Sequence, residues 1–249
     1  MISPLTLFPD ETVVLPLRYF GNIGYYAVMA AYGRAVVTAD ALFDKREKAV
    51  HRCDITDTHG RVQLTVPVAK PHGIARARWN DVRLSDHGAW WHVHRVTLES
   101  AYGRTPFFEF YIDRFLPFLS AGVMEMCPTI ASLDLALDEV VRSILSIPTE
   151  VAATGEGGFL GSMGSTHLSK VAFFDAALFS PRCSAMWHFN VGLTTAPSSP
   201  RICGEVSDFA PYYQVRGDRQ GFIPNLSILD LIFNLGPEAP LYLKKLYSA

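Results

Sequence analysis

The sequence predicts an α/β fold, with an N-terminal β-α-β unit on a parallel or mixed sheet followed by a mainly helical second half. Three observations support this prediction. Short apolar runs rich in β-branched residues flank a helical pattern near the N-terminus, and apolar residues recur at helical spacing from Trp90 onward. Residues 221–238 are apolar on nearly every side, which is typical of a helix buried in a core.

The first predicted unit is a strand, a helix and a second strand. Residues 12–17 form the first apolar run, and Asn22 can cap a helix that carries Tyr25 on its apolar face. Gly33 is expected to end that helix, and residues 35–38 start the next strand. A helical crossover between two short strands implies that they are parallel and joined by a right-handed connection.

A hairpin is predicted next along the chain. Residues 51–55 and 62–66 alternate apolar and polar side chains, and they flank a turn at residues 57–60. Residues 79–84 are interpreted as a further strand. These segments would extend the β-structure beyond the first unit.

Further helices are predicted in the second half. One begins at Trp90 and carries His94 on its inner face, while His92 points away, so the two histidines cannot share a metal on a helix. On a strand they could. A second helix is expected to begin at Thr105-Pro106, because proline is favoured at the first helical position. A third covers residues 130–146.

The chain is interpreted as one domain over residues 1–249, with an irregular insertion at about 148–205. Residues 155–164 are rich in glycine but lack the lysine of a phosphate-binding loop, and the G-x-G-x-x-G register fails at Leu160. We interpret this segment as a connection that could act as a lid.

Composition excludes several classes of function. The chain has 22 basic and 24 acidic residues without a lysine block, which argues against nucleic acid as a partner. No apolar stretch reaches the ~20 residues of a membrane span, and the N-terminus does not resemble a signal peptide. The cysteines are scattered without paired spacing, as is typical of reduced thiols in the cytoplasm. They are Cys53, Cys127, Cys183 and Cys203.

Two segments are candidate functional sites on physical grounds. Residues 18–22 follow the first strand, where open α/β sheets usually bind ligands, and the helix start favours an anion. The alternative is a tight turn in which Asn22 only caps the helix. Asp230 lies in the apolar C-terminal helix, so its carboxylate is expected to be buried either in an active site or in a structural ion pair.

Several sequence blocks together resemble the WbqC-like protein family. The blocks are residues 19–26 (YFGNIGYY), 51–53 (HRC), 64–68 (LTVPV), Trp90 with His94, 100–102 (SAY), 106–109 (PFFE) and 221–230 (GFIPNLSILD). The genes of this family tend to accompany synthesis of bacterial O-antigen and other surface polysaccharides. The resemblance therefore implies a cytoplasmic step in glycan-precursor metabolism, and it leaves the chemistry and any cofactor open.

The first functional hypothesis is a transferase that passes an acyl or aminoacyl group to the amine of a nucleotide-activated sugar. Arginine suits phosphates because its guanidinium offers a planar fork of donors, and tyrosines can stack on a base or a sugar. The predicted substrate-binding residues are Arg18, Tyr19, Asn22, Tyr25, Arg52 and Tyr102.

His94 is the predicted general base, since its ordinary pKa lies near neutrality, and Glu109 would orient it or accept a proton. The alternative is a core histidine bonded to the backbone. A covalent variant uses Cys53 as nucleophile, with Glu109 or Asp230 holding the imidazole. The alternative for Cys53 is a small buried apolar residue.

The second hypothesis is a non-catalytic binding or scaffold protein of a polysaccharide-synthesis complex. It predicts an exposed aromatic patch and no cleft that gathers His94, Arg52 and Glu109. A metalloenzyme is a weaker alternative, because no histidine or cysteine spacing matches a zinc motif and no metal ligand is assigned.

Overall fold

The computed structural model describes residues 6–69, 76–154, 171–173 and 209–248. The glycine-rich segment 155–164, most of the predicted insertion, Cys183 and Cys203 lie outside the described residues. The strands are β1 (Phe8–Pro16), β2 (Tyr32–Thr38), β3 (Arg52–Asp57), β4 (Gly60–Thr65), β5 (Val68–Ala69), β6 (Arg83–Leu84), β7 (Glu150–Ala153) and β8 (Val171–Phe173). The helices are α1 (Ile23–Ala31), α2 (Trp90–Tyr102), α3 (Phe108–Tyr111), α4 (Val123–Met126), α5 (Ile130–Leu145), α6 (Gly217–Gln220), α7 (Ile228–Leu235) and α8 (Ala239–Ser248).

A parallel sheet forms the N-terminal part of the fold, as predicted. Its strand order is β7-β2-β1-β8, and each neighbouring pair of strands is parallel. Helix α1 connects β1 to β2, so the predicted β-α-β unit is confirmed. Helical segments dominate the described residues from Trp90 onward, which confirms the mixed α/β class.

The end of α1 differs from the prediction. The helix ends at Ala31, and Gly33 lies inside β2 rather than stopping the helix. A Cβ atom on Gly33 would lie 1.9 Å from the carbonyl oxygen of Pro9. Glycine is therefore needed here because the backbone of β1 passes too close for a side chain.

The predicted hairpin is confirmed. Strands β3 and β4 are antiparallel, with Cys53 opposite Leu64 and Arg52 opposite Thr65. The strand expected at residues 79–84 is shorter, because a 3₁₀ turn occupies Trp79–Asp81 and only β6 follows it.

Helix α2 begins and ends as predicted, with His94 buried on its inner face and His92 exposed. The helix expected from Thr105-Pro106 is wrong, since α3 has only four residues. The hydroxyl of Thr105 bonds back to the Tyr102 carbonyl, 2.7 Å away, instead of capping a new helix. Phe110 of α3 is 76% exposed.

Helix α5 matches its prediction closely, and the hydroxyl of Thr129 caps it at the Ser132 amide. The C-terminal apolar block forms a shorter helix than predicted. Its helix, α7, ends at Gly236, whose φ of 50° only glycine adopts readily. Helix α8 then packs against α1, which is buried at every residue. Among the described residues, no helix is long and apolar enough to span a membrane.

Candidate functional site

His94 is held by two hydrogen bonds inside the fold. Its Nε2 atom lies 3.1 Å from the carbonyl oxygen of Thr65, which can only accept, so Nε2 donates. Its Nδ1 atom therefore accepts from the hydroxyl of Tyr19 at 2.9 Å. Burial lowers the pKa of His94 to about 4, and the hydrogen bond to the Thr65 backbone partly opposes this shift. The imidazole is neutral near pH 7, and both of its nitrogens are engaged.

An open pocket of about 320 Å³ lies against His94, between strand β4 and the first turns of α2. It is lined by residues 62–65, His87, Gly88, Trp90, Val93, His94 and Thr97. The indole Nε1 of Trp90 is buried, and no residue that the structure describes accepts a hydrogen bond from it. The volume is at the lower end of the range for small-molecule sites.

Arg52 lies on β3, the strand that pairs with the pocket strand β4. It lies opposite Thr65, and its Nη1 donates to the Oε1 of Gln63, a pocket residue, at 3.0 Å. The Nε of Arg52 is buried and has no hydrogen-bond partner among the described residues. Burial, together with the charges of Arg52 and Lys48, lowers the pKa of His51 to about 4. The charges of Arg52 and Lys48 therefore make this corner of the hairpin positive, which suits an anion.

The first backbone amides of α1 are already hydrogen-bonded to other groups of the protein. The first three amides of the helix donate to protein oxygens, and Asn22 supplies one of these acceptors. The bonds run from Ile23 to the Leu226 carbonyl (3.0 Å), from Gly24 to Asn225 Oδ1 (3.0 Å) and from Tyr25 to Asn22 Oδ1 (2.9 Å). An anion at this helix start would have to displace those bonds. The geometry is that of the tight turn with a capping asparagine.

Arg18 precedes this turn in the chain, and its side chain is buried. Its Nη1 atom donates to Glu47 Oε1 at 3.0 Å. Its charge also acts on Asp134 of α5, a residue that the sequence reasoning missed. Asp134 is 2% exposed, and neither carboxylate oxygen has a hydrogen-bond partner in the described part of the chain. Burial raises the pKa of Asp134 well above its usual range, and the charge of Arg18 acts in the opposite direction.

A second buried aspartate lies one turn further along α5. Asp138 accepts a hydrogen bond from Arg142 Nε at 2.7 Å and another from Tyr26. A sequence signal for both aspartates does exist, because they fall at helical spacing within the apolar stripe of this helix. That stripe comprises Ile130, Leu133, Leu137, Val141 and Leu145.

Asp230 is fully buried, as predicted, and its carboxylate is bonded on every side. It accepts from the hydroxyl of Tyr102 at 3.0 Å, from Gln214 Nε2 at 3.0 Å and from the hydroxyl of Tyr212. Burial raises the pKa of Asp230, and the three donors oppose the shift. These bonds join α2 and residues 212–214 to α7, which is the arrangement of a structural carboxylate.

The other predicted catalytic groups are placed differently. Cys53 is buried in β3, where burial and the charge of Asp54 raise the pKa of its thiol well above the usual range. Such a thiol is a weak nucleophile. Glu109 is exposed on α3, and the two bonds of His94 come from Tyr19 and Thr65 rather than from Glu109.

Tyr19 thus bonds to His94, which lines the pocket, Arg52 bonds to the pocket residue Gln63, and Tyr102 bonds to Asp230 in the core. Glu109 belongs to neither group. Within the described ranges, no cluster of three or more His, Cys, Asp or Glu side chains is arranged to hold a metal ion.

The fold and this site define a mixed α/β protein with an open pocket between strand β4 of its hairpin and helix α2. A family model matches residues 18–176, and the chain belongs to the WbqC-like protein family. The match confirms the resemblance, although it ends before the Asp230 block that contributed to it. No curated protein matches the chain, and no solved structure matches it.

Proposed function

We propose that this WbqC-like protein is a cytoplasmic group transferase. It passes an acyl or aminoacyl group to the amine of a nucleotide-activated sugar in the synthesis of O-antigen or another surface polysaccharide. The sugar substrate is supported by what the family resemblance implies about surface polysaccharides. The enzyme assignment is supported by the geometry of the site.

The observation that carries the proposal is the pocket beside His94 with Arg52 bonded to its rim. A pocket of about 320 Å³ suits one sugar ring, and the positively charged Arg52 lies on the strand next to it. A nucleotide-activated sugar needs both elements, a cavity for the ring and a cation for the phosphates.

The proposed reaction forms an amide bond. The sugar amine attacks the acyl carbon, the carrier group leaves with its bonding electrons, and the amine loses a proton. His94 is a weak base because its pKa is about 4, and Tyr19 already donates to its Nδ1. We therefore assign this pair to orienting the acceptor, in place of the general-base role predicted for His94 from the sequence.

The scaffold alternative predicts that aromatic residues form an exposed patch. The family-matching aromatic residues Tyr19, Tyr25 and Tyr102 are buried instead, each at 2% exposure or less. Burial of these side chains counts against an exposed aromatic patch, whereas the second prediction of the scaffold alternative, that no cleft gathers His94, Arg52 and Glu109, agrees with the lining of the pocket in the described part of the chain.

The test is a thermal-shift screen against nucleotide sugars, free nucleotides, acyl carriers and divalent metals. A ligand that binds only the folded state stabilises it and therefore raises the melting temperature. At a ligand concentration of 100 times the Kd, the free energy of unfolding increases by about 2.7 kcal/mol. We expect a nucleotide-sugar shift that Arg52→Gln abolishes.

Arg61→Gln is the matched control, because Arg61 lies on the same hairpin and bonds to Asp54 and to the Pro224 carbonyl. We expect that variant to keep the shift. A wild-type protein that responds to no nucleotide sugar would contradict the proposal and favour the scaffold alternative.

A further inference from the structure

Strand β4 has a main-chain edge that points away from its partner strand. In an antiparallel pair, two opposite residues exchange both of their main-chain hydrogen bonds or neither, and the groups of a pair that exchanges neither point outward. Asp54 lies opposite Gln63, and the Asp54 carbonyl accepts from the Ser227 amide at 2.8 Å, outside the hairpin. The N–H and C=O of Gln63 therefore point away from β3.

Helix α2 and the pocket lie on that side of β4. The carbonyl of Thr65 is bonded to Nε2 of His94 on α2, at 3.1 Å. The direction of the main-chain groups repeats at every second residue of a strand, so those of Gln63 point to the same side as those of Thr65. Both residues line the pocket, and Gln63 is exposed. In the described part of the chain, the N–H and C=O of Gln63 have no hydrogen-bond partner.

A free strand edge binds amides, because it offers N–H donors and carbonyl acceptors in alternation. None of the described residues that line the pocket is Asp, Glu, Lys or Arg, so an uncharged amide suits the lining. Within the pocket only Gln63 has both groups free, since His94 occupies the Thr65 carbonyl and Arg61 lies outside the lining. This edge is much shorter than a usual strand of about 5–6 residues, which favours a small amide-bearing ligand over a peptide strand.

We propose that this edge binds the amide-bearing arm of a thioester acyl donor of the pantetheine type. An amide carbonyl of the arm accepts from the Gln63 N–H, and an amide N–H of the arm donates to the Gln63 carbonyl. The inference rests on the proposed function and deepens it, because it names the class of carrier that supplies the acyl group. Arg52 bonds to the side chain of Gln63, so the arm and the phosphates of the sugar nucleotide use different groups.

The bonds of the transfer step balance with such a donor. The neutral sugar amine attacks the thioester carbon, and a C–N bond forms. The C–S bond breaks with its electron pair on sulfur, and the proton that the amine loses ends on the thiolate. The products are an amide and the free thiol of the arm.

Three small thiols test the site by ligand-observed NMR and calorimetry. Pantetheine carries two amides, N-acetylcysteamine carries one, and 2-mercaptoethyl acetate has an ester in place of that amide. We expect pantetheine to bind best, and N-acetylcysteamine to bind about tenfold more tightly than the ester, as one hydrogen bond from an amide N–H would give.

Two variants at one position test the main-chain bond. Gln63→Pro removes the N–H, and proline is tolerated in an edge strand where the N–H points outward. Gln63→Val keeps the N–H and likewise loses the side chain that binds Arg52. We expect pantetheine affinity to fall about tenfold in the proline variant relative to the valine variant.

A measurement on the wild-type protein covers the case in which the proline variant does not fold. The amide signal of Gln63 should shift when pantetheine is added, whereas that of Ile55, which faces into the hairpin, should not. An unchanged Gln63 signal at saturating pantetheine would overturn the inference.

The outcomes separate this inference from the proposed function. Gln63-dependent binding of pantetheine without a response to any nucleotide sugar would support the arm site and contradict the nucleotide-sugar acceptor. A nucleotide-sugar response in a protein that does not bind pantetheine would overturn the inference and leave the transferase with another donor. Equal pantetheine affinity of the two Gln63 variants would also overturn it, as would Gln63-dependent binding of a short peptide when pantetheine does not bind.

Discussion

At the residue scale, Asp134 is the side chain that most needs an explanation. A buried carboxylate normally has hydrogen-bond partners or a paired cation, and its neighbour Asp138 has Arg142 and Tyr26. Asp134 has none among the described residues, although the charge of Arg18 acts on it. A buried carboxylate without hydrogen-bond partners lowers the stability of the fold. Such a cost is common where a residue serves function.

Replacing Asp134 with asparagine is therefore expected to stabilise the protein. Burial raises the pKa of Asp134, so the folded state holds the proton to a higher pH than the unfolded chain does. The stability this proton contributes is present at low pH and is lost as the pH rises. We expect Asp134→Asn to raise the free energy of unfolding by about 1–3 kcal/mol at pH 8, and by less at pH 5.

Urea unfolding of both proteins at several pH values measures this difference. The matched control is Asp138→Asn, which weakens the bonds to Arg142 and Tyr26 and should destabilise the fold. Destabilisation by Asp134→Asn at pH 8 would show that Asp134 is an ordinary structural carboxylate.

At the element scale, the Asp230 network decides how the C-terminal segment is attached. Residues 209–216 carry little regular structure, and they are held to α7 by Tyr212 and Gln214 at the Asp230 carboxylate. Tyr102 binds the same carboxylate from α2. Three donors share this one buried carboxylate, so losing one of them weakens the attachment of the segment, which is also bonded by Val215 to Asn234 and by Tyr242 to Ala210.

Tyr212→Phe is expected to lower the free energy of unfolding by about 1.5–3 kcal/mol, since it removes a hydrogen bond to a charged buried group. Tyr213→Phe is the control, because Tyr213 is largely exposed. Hydrogen exchange should show faster exchange across residues 209–223 in Tyr212→Phe alone. Equal stability of the two variants would argue that the network does not hold the segment.

At the scale of the whole molecule, the C-terminal helices complete the core of the N-terminal unit. Helix α8 packs on α1, and the Leu226 carbonyl and Asn225 side chain bond to the first amides of α1. Ser227 Oγ also donates to the carbonyl of Phe20 at 3.0 Å. The family match ends at residue 176, whereas these contacts with α1 come from residues beyond it. The single domain over residues 1–249 stays a prediction.

A chain that ends at residue 208 is therefore expected not to fold cooperatively, because it would expose α1 and leave its first amides without partners. Far- and near-UV circular dichroism during heating can test this. The full chain should unfold in one transition seen by both probes. A truncated chain that melts cooperatively would mean that the matched region is a domain by itself.

Most of the fold could be predicted from the sequence because its signals are local. Asn22 caps its helix as expected, and the alternation on either side of residues 57–60 produced the hairpin. The errors arose where distant segments intervene. Gly33 is required by the approach of Pro9, and the amide of Phe107 donates to the Phe233 carbonyl rather than starting a long helix at Thr105.

The candidate site was less predictable for the same reason. Sequence reasoning selected Tyr19, Arg52 and His94. The structure bonds Tyr19 to His94, and it places Arg52 opposite Thr65, whose carbonyl accepts from His94. It could not show that both nitrogens of His94 are already bonded, or that Trp90 keeps an unpaired N–H beside a cavity. Such facts depend on pairings between residues far apart in the chain.

The sequence by itself determined the family, the α/β class, the helix caps and the burial of Asp230. Each of these follows from residue type and spacing, which act within a few positions of the chain. Only the tertiary structure decided which polar groups have partners. Asp230 has three donors and Asp134 has none among the described residues, although both are aspartates on the apolar face of a helix. The difference arises because a buried carboxylate finds its donors on other elements, whose positions no local pattern specifies.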